Sequence, residues 1–290
     1  MKNYSVFDAH CDTLCLLADK GGNIYENTYN ADIKRMSEYK SYTQVFACFI
    51  SPEHYNDPMA RFKTLKDIYS SEDFGVVKPV LSLEGGEVIR SLEDVEYLKA
   101  CGIRCATLTW NNDNALAGGV LGAGGGLTPF GKSVVRKMNE LGIIIDVSHL
   151  SDKSFYDVAS VAGDNIIATH SNSRAVCSDS RNLTDEMFRI IKESGGCVGI
   201  NLYPLFVTGK NQCTSFDVIK HIRHFADTSG IDAIGIGSDF DGTDNFLPCD
   251  IRGCDELYRL FDNMLLSGFS RTDIEKISHL NFERIFKEAK

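Results

Sequence analysis

The feature that most constrains this chain is an alternation: eight short apolar runs, rich in β-branched residues, each followed by a longer stretch with helical signatures. The runs span 4–9, 43–50, 76–83, 103–109, 142–147, 165–169, 196–202 and 233–237. Parallel strands need a crossover connection, and an intervening helix supplies it, so this order predicts βα units around a parallel sheet. Eight such units close a (β/α)8 TIM barrel, a fold that typically takes about 250 residues. The chain has 290 residues, and no internal repeat or linker breaks the pattern. The expectation is α/β, a TIM barrel, with residues 1–290 forming a single domain.

Local punctuation agrees. Ser151 precedes the periodic run Phe155, Val158, Ala159 as an N-cap, with Gly163 as a left-handed stop. Thr184 caps the run Met187, Ile190, Ile191, which ends at Gly195-Gly196, and Ser270 with Asp273 forms a capping box. Segment 118–127 holds six glycines and reads as a mobile loop over a site.

Composition narrows the function classes. A formal charge of -10 and a pI near 5.2 argue against a nucleic-acid or anionic-membrane surface. No run approaches the ~18 apolar residues of a membrane span. The N-terminus lacks an export-signal core and the C-terminus a lipid-anchor tail, so a cytoplasmic location is expected. Ten cysteines without a C-x-x-C pair read as reduced, mostly buried small hydrophobes, with Cys101 at a helix end and Cys105 in the next strand.

The chemistry lies at the ends of the runs. Strand one leads into Asp8-Ala9-His10-Cys11-Asp12, strand three into Glu84, strand five into Asp146-Val147-Ser148-His149, strand six into His170, and strand eight into Asp239-Phe240-Asp241. In a barrel these C-terminal strand ends share one face, where the sites of such enzymes lie. Imidazole and carboxylate suit zinc. His10 and Asp12, two apart on an extended segment, point to one side and can hold one ion. His149 and His170, on neighbouring strands, can hold a second, and Glu84 has two oxygens with which to bridge ions about 3.5–4 Å apart. Such a pair brings the pKa of a bound water near neutral, and Asp239, outside the cage, would take the proton and pass it to the leaving amine. A single buried histidine is ordinarily a hydrogen-bonded core residue, and His54, His221, His224 and His279 are read that way or as exposed. A series of five polar strand ends is different, because charged groups are seldom buried without partners. Asp8, Asp146 and Asp241 are read as groups that orient ligands or satisfy strand ends.

At these residues the sequence resembles the membrane (renal) dipeptidase family of zinc peptidases. The similarity runs in order through Phe7-Asp8-Ala9-His10-Cys11-Asp12-Thr13, Ser82-Leu83-Glu84-Gly85-Gly86, Asp146-Val147-Ser148-His149, Thr169-His170-Ser171 and Gly237-Ser238-Asp239-Phe240-Asp241-Gly242, and closes at Asn281–Phe286. The resemblance implies a metallo-dependent hydrolase barrel with two zinc ions per chain and hydrolysis of dipeptides, in some members with a D-residue at the carboxyl side. Its ligands fall on His10, Asp12, the bridging Glu84, His149 and His170, its proton-handling aspartate on Asp239, and its substrate-carboxylate arginine on Arg181. Trp110 and Tyr203 complete the substrate-side set. Trp110 is a departure: family members carry histidine at this place, after Leu108-Thr109, and Asn111 or Asn112 then becomes the candidate oxyanion donor. A homodimer is compatible with the family. Two rivals stand beside a dipeptidase: a binuclear-zinc amidohydrolase acting on N-acyl amino acids, lactams or phosphoesters, and a metal-binding homologue without catalysis. The lack of a strand-end lysine that could carry a bridging carbamate, with Glu84 present instead, favours the dipeptidase.

Overall fold

The strands form where alternating apolar runs meet turn residues. The computed structural model describes residues 2–164 and 166–288. Its strands are β1 (Lys2–Cys11), β2 (Tyr39–Phe49), β3 (Lys78–Glu84), β4 (Ile103–Thr107), β5 (Ile144–Asp146), β6 (Val198–Ile200) and β7 (Ile234–Ile236). They make one parallel sheet in the order β5-β4-β3-β2-β1-β7-β6.

The expected sixth run supplies the missing stave. Asn165, its first residue, lies outside the described residues. Ile167 pairs in parallel with Asp146 of β5, and Ala168 with Val198 of β6. Backbone bonds flank it on both sides, Ile167 N–H to the Ile145 carbonyl at 3.0 Å and Ala168 N–H to the Cys197 carbonyl at 3.0 Å. The ring therefore closes through eight staves, and the edge problem of an open sheet disappears.

Two apolar layers follow from strand alternation. Phe7, Ala9, Val45, Cys105, Ile144, Ile167 and Cys197 cluster with Phe282, Ile285 and Phe286 of the helix Asn281–Glu288. The larger cluster lies between the staves and the surrounding helices. Ser151 accepts from Ser154 N–H and Thr184 from Met187 N–H, each starting a helix, and the Ser270/Asp273 box is formed. The helix Asp152–Val161 ends at Ala162 in extended backbone, and Gly163 is not left-handed, so that stop signal is not the one used. All ten cysteines are free thiols, and eight of them are buried, which explains their apolar role. Among the described residues no helix is long and apolar enough to cross a membrane.

Candidate active site

β1 shows how the backbone aims the first donors. Its pairing with β2 is irregular between Asp8 and Cys11. Phe7 and Ala9 belong to the inner cluster, so strict alternation would turn His10 away from it. An irregularity of this kind changes the phase and re-aims side chains, and His10 and Asp12 then face Glu84, the last residue of β3. His149, Asp239 and Asp241 reach the same place from turns beyond β5 and β7, each with positive φ (70°, 62° and 69°). Non-glycine residues in that region are strained, and such strain concentrates at functional sites.

The structure brings all five expected ligands and Asp239 together, each nine-tenths or more buried. His10 Nε2 lies 3.4 Å from Asp12 Oδ2 and 3.4 Å from Glu84 Oε2. The other Glu84 oxygen, Oε1, is 2.8 Å from His149 Nε2 and 3.6 Å from His170 Nε2. Asp239 Oδ1 is 3.9 Å from His10 Nε2. One donor set is thus His10/Asp12/Glu84 and another Glu84/His149/His170, the atoms of each within 4.8 Å of one another.

Hydrogen bonding tests whether this set suits a cation. His149 Nδ1 lies 2.8 Å from Asn111 Oδ1, an acceptor, so Nδ1 carries the proton. Thr169 Oγ1 donates to the Asp146 carboxylate and accepts from His170 Nδ1 at 2.8 Å, so that Nδ1 is protonated as well. Both Nε2 lone pairs consequently point inward, 2.8 Å from each other. His10 Nε2 and Asp12 Oδ1 are buried with no hydrogen-bond partner. Facing lone pairs and orphaned polar atoms in a buried site are what a shared metal ion would satisfy.

Electrostatics agrees with that reading. Burial alone would lower His10, but Glu84 and Asp12 outweigh it and hold its pKa well above the ordinary value. Burial and Arg181 push His149 down to about 4, and burial with His10 and Arg181 holds His170 well below its usual range. Burial raises Asp239 to about 7, with Asp12 and Glu84 adding to it and His10 opposing.

A cleft of about 390 Å³ opens over the cluster, within the ~300–1,000 Å³ of small-molecule sites. Arg181 lines it, 7% exposed, with Nη2 3.2 Å from His149 Nε2 and Nη1 3.4 Å from Ser171 Oγ. Among the described residues no carboxylate comes within ion-pair distance of its guanidinium, and Nε has no partner. The half-buried rings of Trp110 and Tyr203 line the cleft too.

The comparisons bear on this geometry directly. The family model described as membrane dipeptidase (peptidase family M19) matches residues 53–290. The chain belongs to the membrane dipeptidase family. A Klebsiella pneumoniae relative, an uncharacterized protein in the pqqA 5′ region, is 33% identical over 235 residues, 77% of this chain and 86% of its own. The crystal structure of the dipeptidase AC, a metallopeptidase of family M19, superposes with a TM-score of 0.88 at 25% identity, over 99% of both chains. A Rhodobacter sphaeroides metallopeptidase liganded with a phosphinate mimic of the dipeptide L-Ala-D-Ala superposes at 0.86 and 25% identity over 100% of both. The family match begins at residue 53, so His10 and Asp12 lie outside it, whereas the structural superpositions span the whole chain. This member of the family is a metal-dependent dipeptidase.

Further residues shape the candidate centre, among them Asp8 and Asp241, in the orienting role expected of them, and others that carry no signal in the sequence. Asn111 sits behind His149 as its Nδ1 partner, not merely as a spare donor near Trp110. Thr169 relays Asp146 to His170. Asp8 accepts from Ser238 N–H at 2.8 Å and Ser238 Oγ at 2.5 Å, and Asp241 accepts from Thr13 Oγ1 and Asn30 N–H, both at 2.6 Å. Gly242 has a steric reason: a Cβ there would come within 2.3 Å of Asp12 Oδ2 and 2.5 Å of Asp239 Oδ1. Asn201, just past β6, is inconspicuous because that strand end shows no charged residue.

Proposed function

We propose that the chain hydrolyses the amide bond of free dipeptides, L-X-D-X among them, with two zinc ions shared through Glu84. His10 and Asp12 would hold one ion, His149 and His170 the other, with Glu84 giving one oxygen to each. When bound, such a pair supplies Lewis-acid polarisation of the scissile carbonyl and lowers the pKa of water at the site. The protein's own residues do the rest. Arg181 receives the terminal carboxylate of the substrate and sets the distance to the scissile bond. Asp239 Oδ1 takes a proton from the attacking water and returns it to the leaving amine nitrogen, a role suited to a carboxylate oxygen held 3.9 Å from His10 Nε2 at the edge of the donor cluster. Trp110 and Tyr203 flank the substrate and exclude water.

The observation that carries this reading is Arg181: a buried guanidinium without a carboxylate partner in the same cleft as the donor cluster. Elsewhere the cleft wall carries Glu53 and Asp244, beside an Asp19 that Arg61 already pairs, which favours a free ammonium over an N-acylated substrate. The Rhodobacter sphaeroides neighbour with its L-Ala-D-Ala mimic supports a D-residue at the carboxyl side. The test is a panel of L,L- and L,D-dipeptides beside N-acetyl amino acids, given to zinc-loaded protein whose metal content is measured on the same sample. Turnover of dipeptides and not of N-acetyl amino acids is the expected outcome. The reverse pattern sinks the reading.

A further inference from the structure

We infer that Asn201 is a positioning residue of the reaction: its side chain ties down one oxygen of Asp239 so that only the other, Oδ1, faces the donor cluster. The inference deepens the dipeptidase reading and rests on it.

Asn201 is fully buried directly after β6. Its Nδ2 donates to Asp239 Oδ2 at 2.9 Å, and its Oδ1 accepts from the Tyr203 N–H at 2.6 Å. Its backbone is held as firmly. The Asn201 N–H donates to Asn172 Oδ1 at 3.0 Å, and Asn172 Nδ2 donates back to the Asn201 carbonyl at 3.0 Å. Asn172 lies two residues past His170. One buried amide therefore ties together the loop that carries His170, the turn that carries Asp239 and the backbone of Tyr203.

Asp239 needs such a tie. The terminal torsion of a carboxylate is broad and nearly two-fold, so packing alone fixes it poorly. Asp239 is near enough to His10 and His170 to form a third donor group with them. Free rotation would let both its oxygens compete for the cation site. With Oδ2 engaged by Asn201, Oδ1 alone is left, 3.9 Å from His10 Nε2. It is also the oxygen beside which Gly242 leaves room. The proton-handling atom is thereby separated from the anchored one.

Asn201→Asp tests this bond. It keeps an oxygen for the Tyr203 N–H and puts a carboxylate oxygen where the donor to Asp239 stood, so the added charge is controlled for by a second, neutral substitution. In the zinc-loaded protein its kcat on a dipeptide should fall by about tenfold or more, the scale of a lost hydrogen bond to a charged group, with KM and bound metal nearly unchanged. Asn201→Ala, which introduces no charge, should give the same split. In an Asp239→Asn background, itself slower by roughly 10²–10⁴, neither substitution should lower kcat further. A residue with a merely structural role lowers both backgrounds equally, and equal losses would overturn the inference. Crystal structures of zinc-loaded wild type and Asn201→Ala give a readout that needs no substrate. The Asp239 carboxylate should be turned in the variant, and an unmoved carboxylate overturns the inference whether or not dipeptides are cleaved. Failure of the dipeptidase reading shows separately, as a wild type with the Asn201–Asp239 bond intact and no turnover of any dipeptide.

Discussion

A guanidinium taken out of water without a counter-charge is unfavourable, and burial accordingly lowers the pKa of Arg181. The carboxylates of Asp239, Glu84, Asp146 and Asp179 offset this only in part, and none of them touches the guanidinium. Its direct contacts are a serine hydroxyl, the His170 carbonyl at 3.3 Å, an imidazole nitrogen and the ring of Phe206, 5.3 Å away. A substrate carboxylate would offset the rest. A charge-assisted contact of this kind contributes about 1.5–3 kcal/mol, so Arg181→Met should lower kcat/KM for free dipeptides roughly 10- to 150-fold. Matching dipeptide amides carry no carboxylate and should lose little. The two substrate series in the two proteins form a double-mutant cycle, and equal losses on both would show that Arg181 does not read the carboxylate. At this scale the charged groups are legible in the sequence, because charge at a strand end demands an explanation. The uncharged partners are not. Asn111, Thr169, Asn172 and Asn201 are short polar residues of a kind found at many strand ends, and only their distances reveal what they hold.

Among elements, the helix Ser215–Ser229 illustrates how a histidine outside the centre serves the fold. His221 is buried on its inner face, accepting from Ser173 N–H at Nδ1 (3.1 Å) and facing the Val207 carbonyl with Nε2 (2.8 Å). Both bonds are satisfied by a neutral ring, and burial, helped by His224, lowers its pKa. The folded state then binds fewer protons than the unfolded one at mildly acid pH. The contribution of His221 is fully present above the unfolded value of about 6.5 and is lost as pH falls below it, at no more than about 1.4 kcal/mol per pH unit. Measured without metal, the stability gap between wild type and His221→Gln should narrow from pH 8 to pH 5.5; a constant gap would refute the assignment. Elements also show where pattern reading reaches its limit. The run at 165–169 has the composition of a strand, and paired backbone on both sides of Ile167 and Ala168 makes it one. The glycines of 118–127 suggest a mobile cover, yet no residue of that segment lines the cleft. Asp113 accepts from Gly119 and Ala123 N–H, both at 2.9 Å, and a Cβ on Gly118 would meet the Gly125 carbonyl at 2.2 Å. Those glycines serve close backbone approach, which composition cannot distinguish from looseness. The β1 irregularity that aims His10 is equally silent in sequence, because it depends on how two strands pair.

For the molecule as a whole, the centre joins β1, β3, the loop after β5, the segment at 167–168 and the turn after β7. Asp12, Glu84 and Asp239 sit there buried and close together, and burial together with Glu84 raises the pKa of Asp12. The folded chain without metal therefore carries facing lone pairs and crowded carboxylates that the unfolded chain would hydrate. A cation that binds only the folded state stabilises it by RT ln(1 + [L]/Kd), about 2.7 kcal/mol when the ligand is at 100 Kd. For a chain of this size each kcal/mol corresponds to a Tm shift of roughly 2–4 °C. Titrating zinc into stripped protein should raise Tm in two increments, saturating near two equivalents, because two donor sets meet at one glutamate. His149→Ala, which weakens a single set, should abolish one increment. Glu84→Gln lowers the charge of the residue common to both and should abolish most of each. A Tm that saturates at one equivalent, or a Glu84→Gln protein that retains both increments, would mean that Glu84 is not the shared ligand.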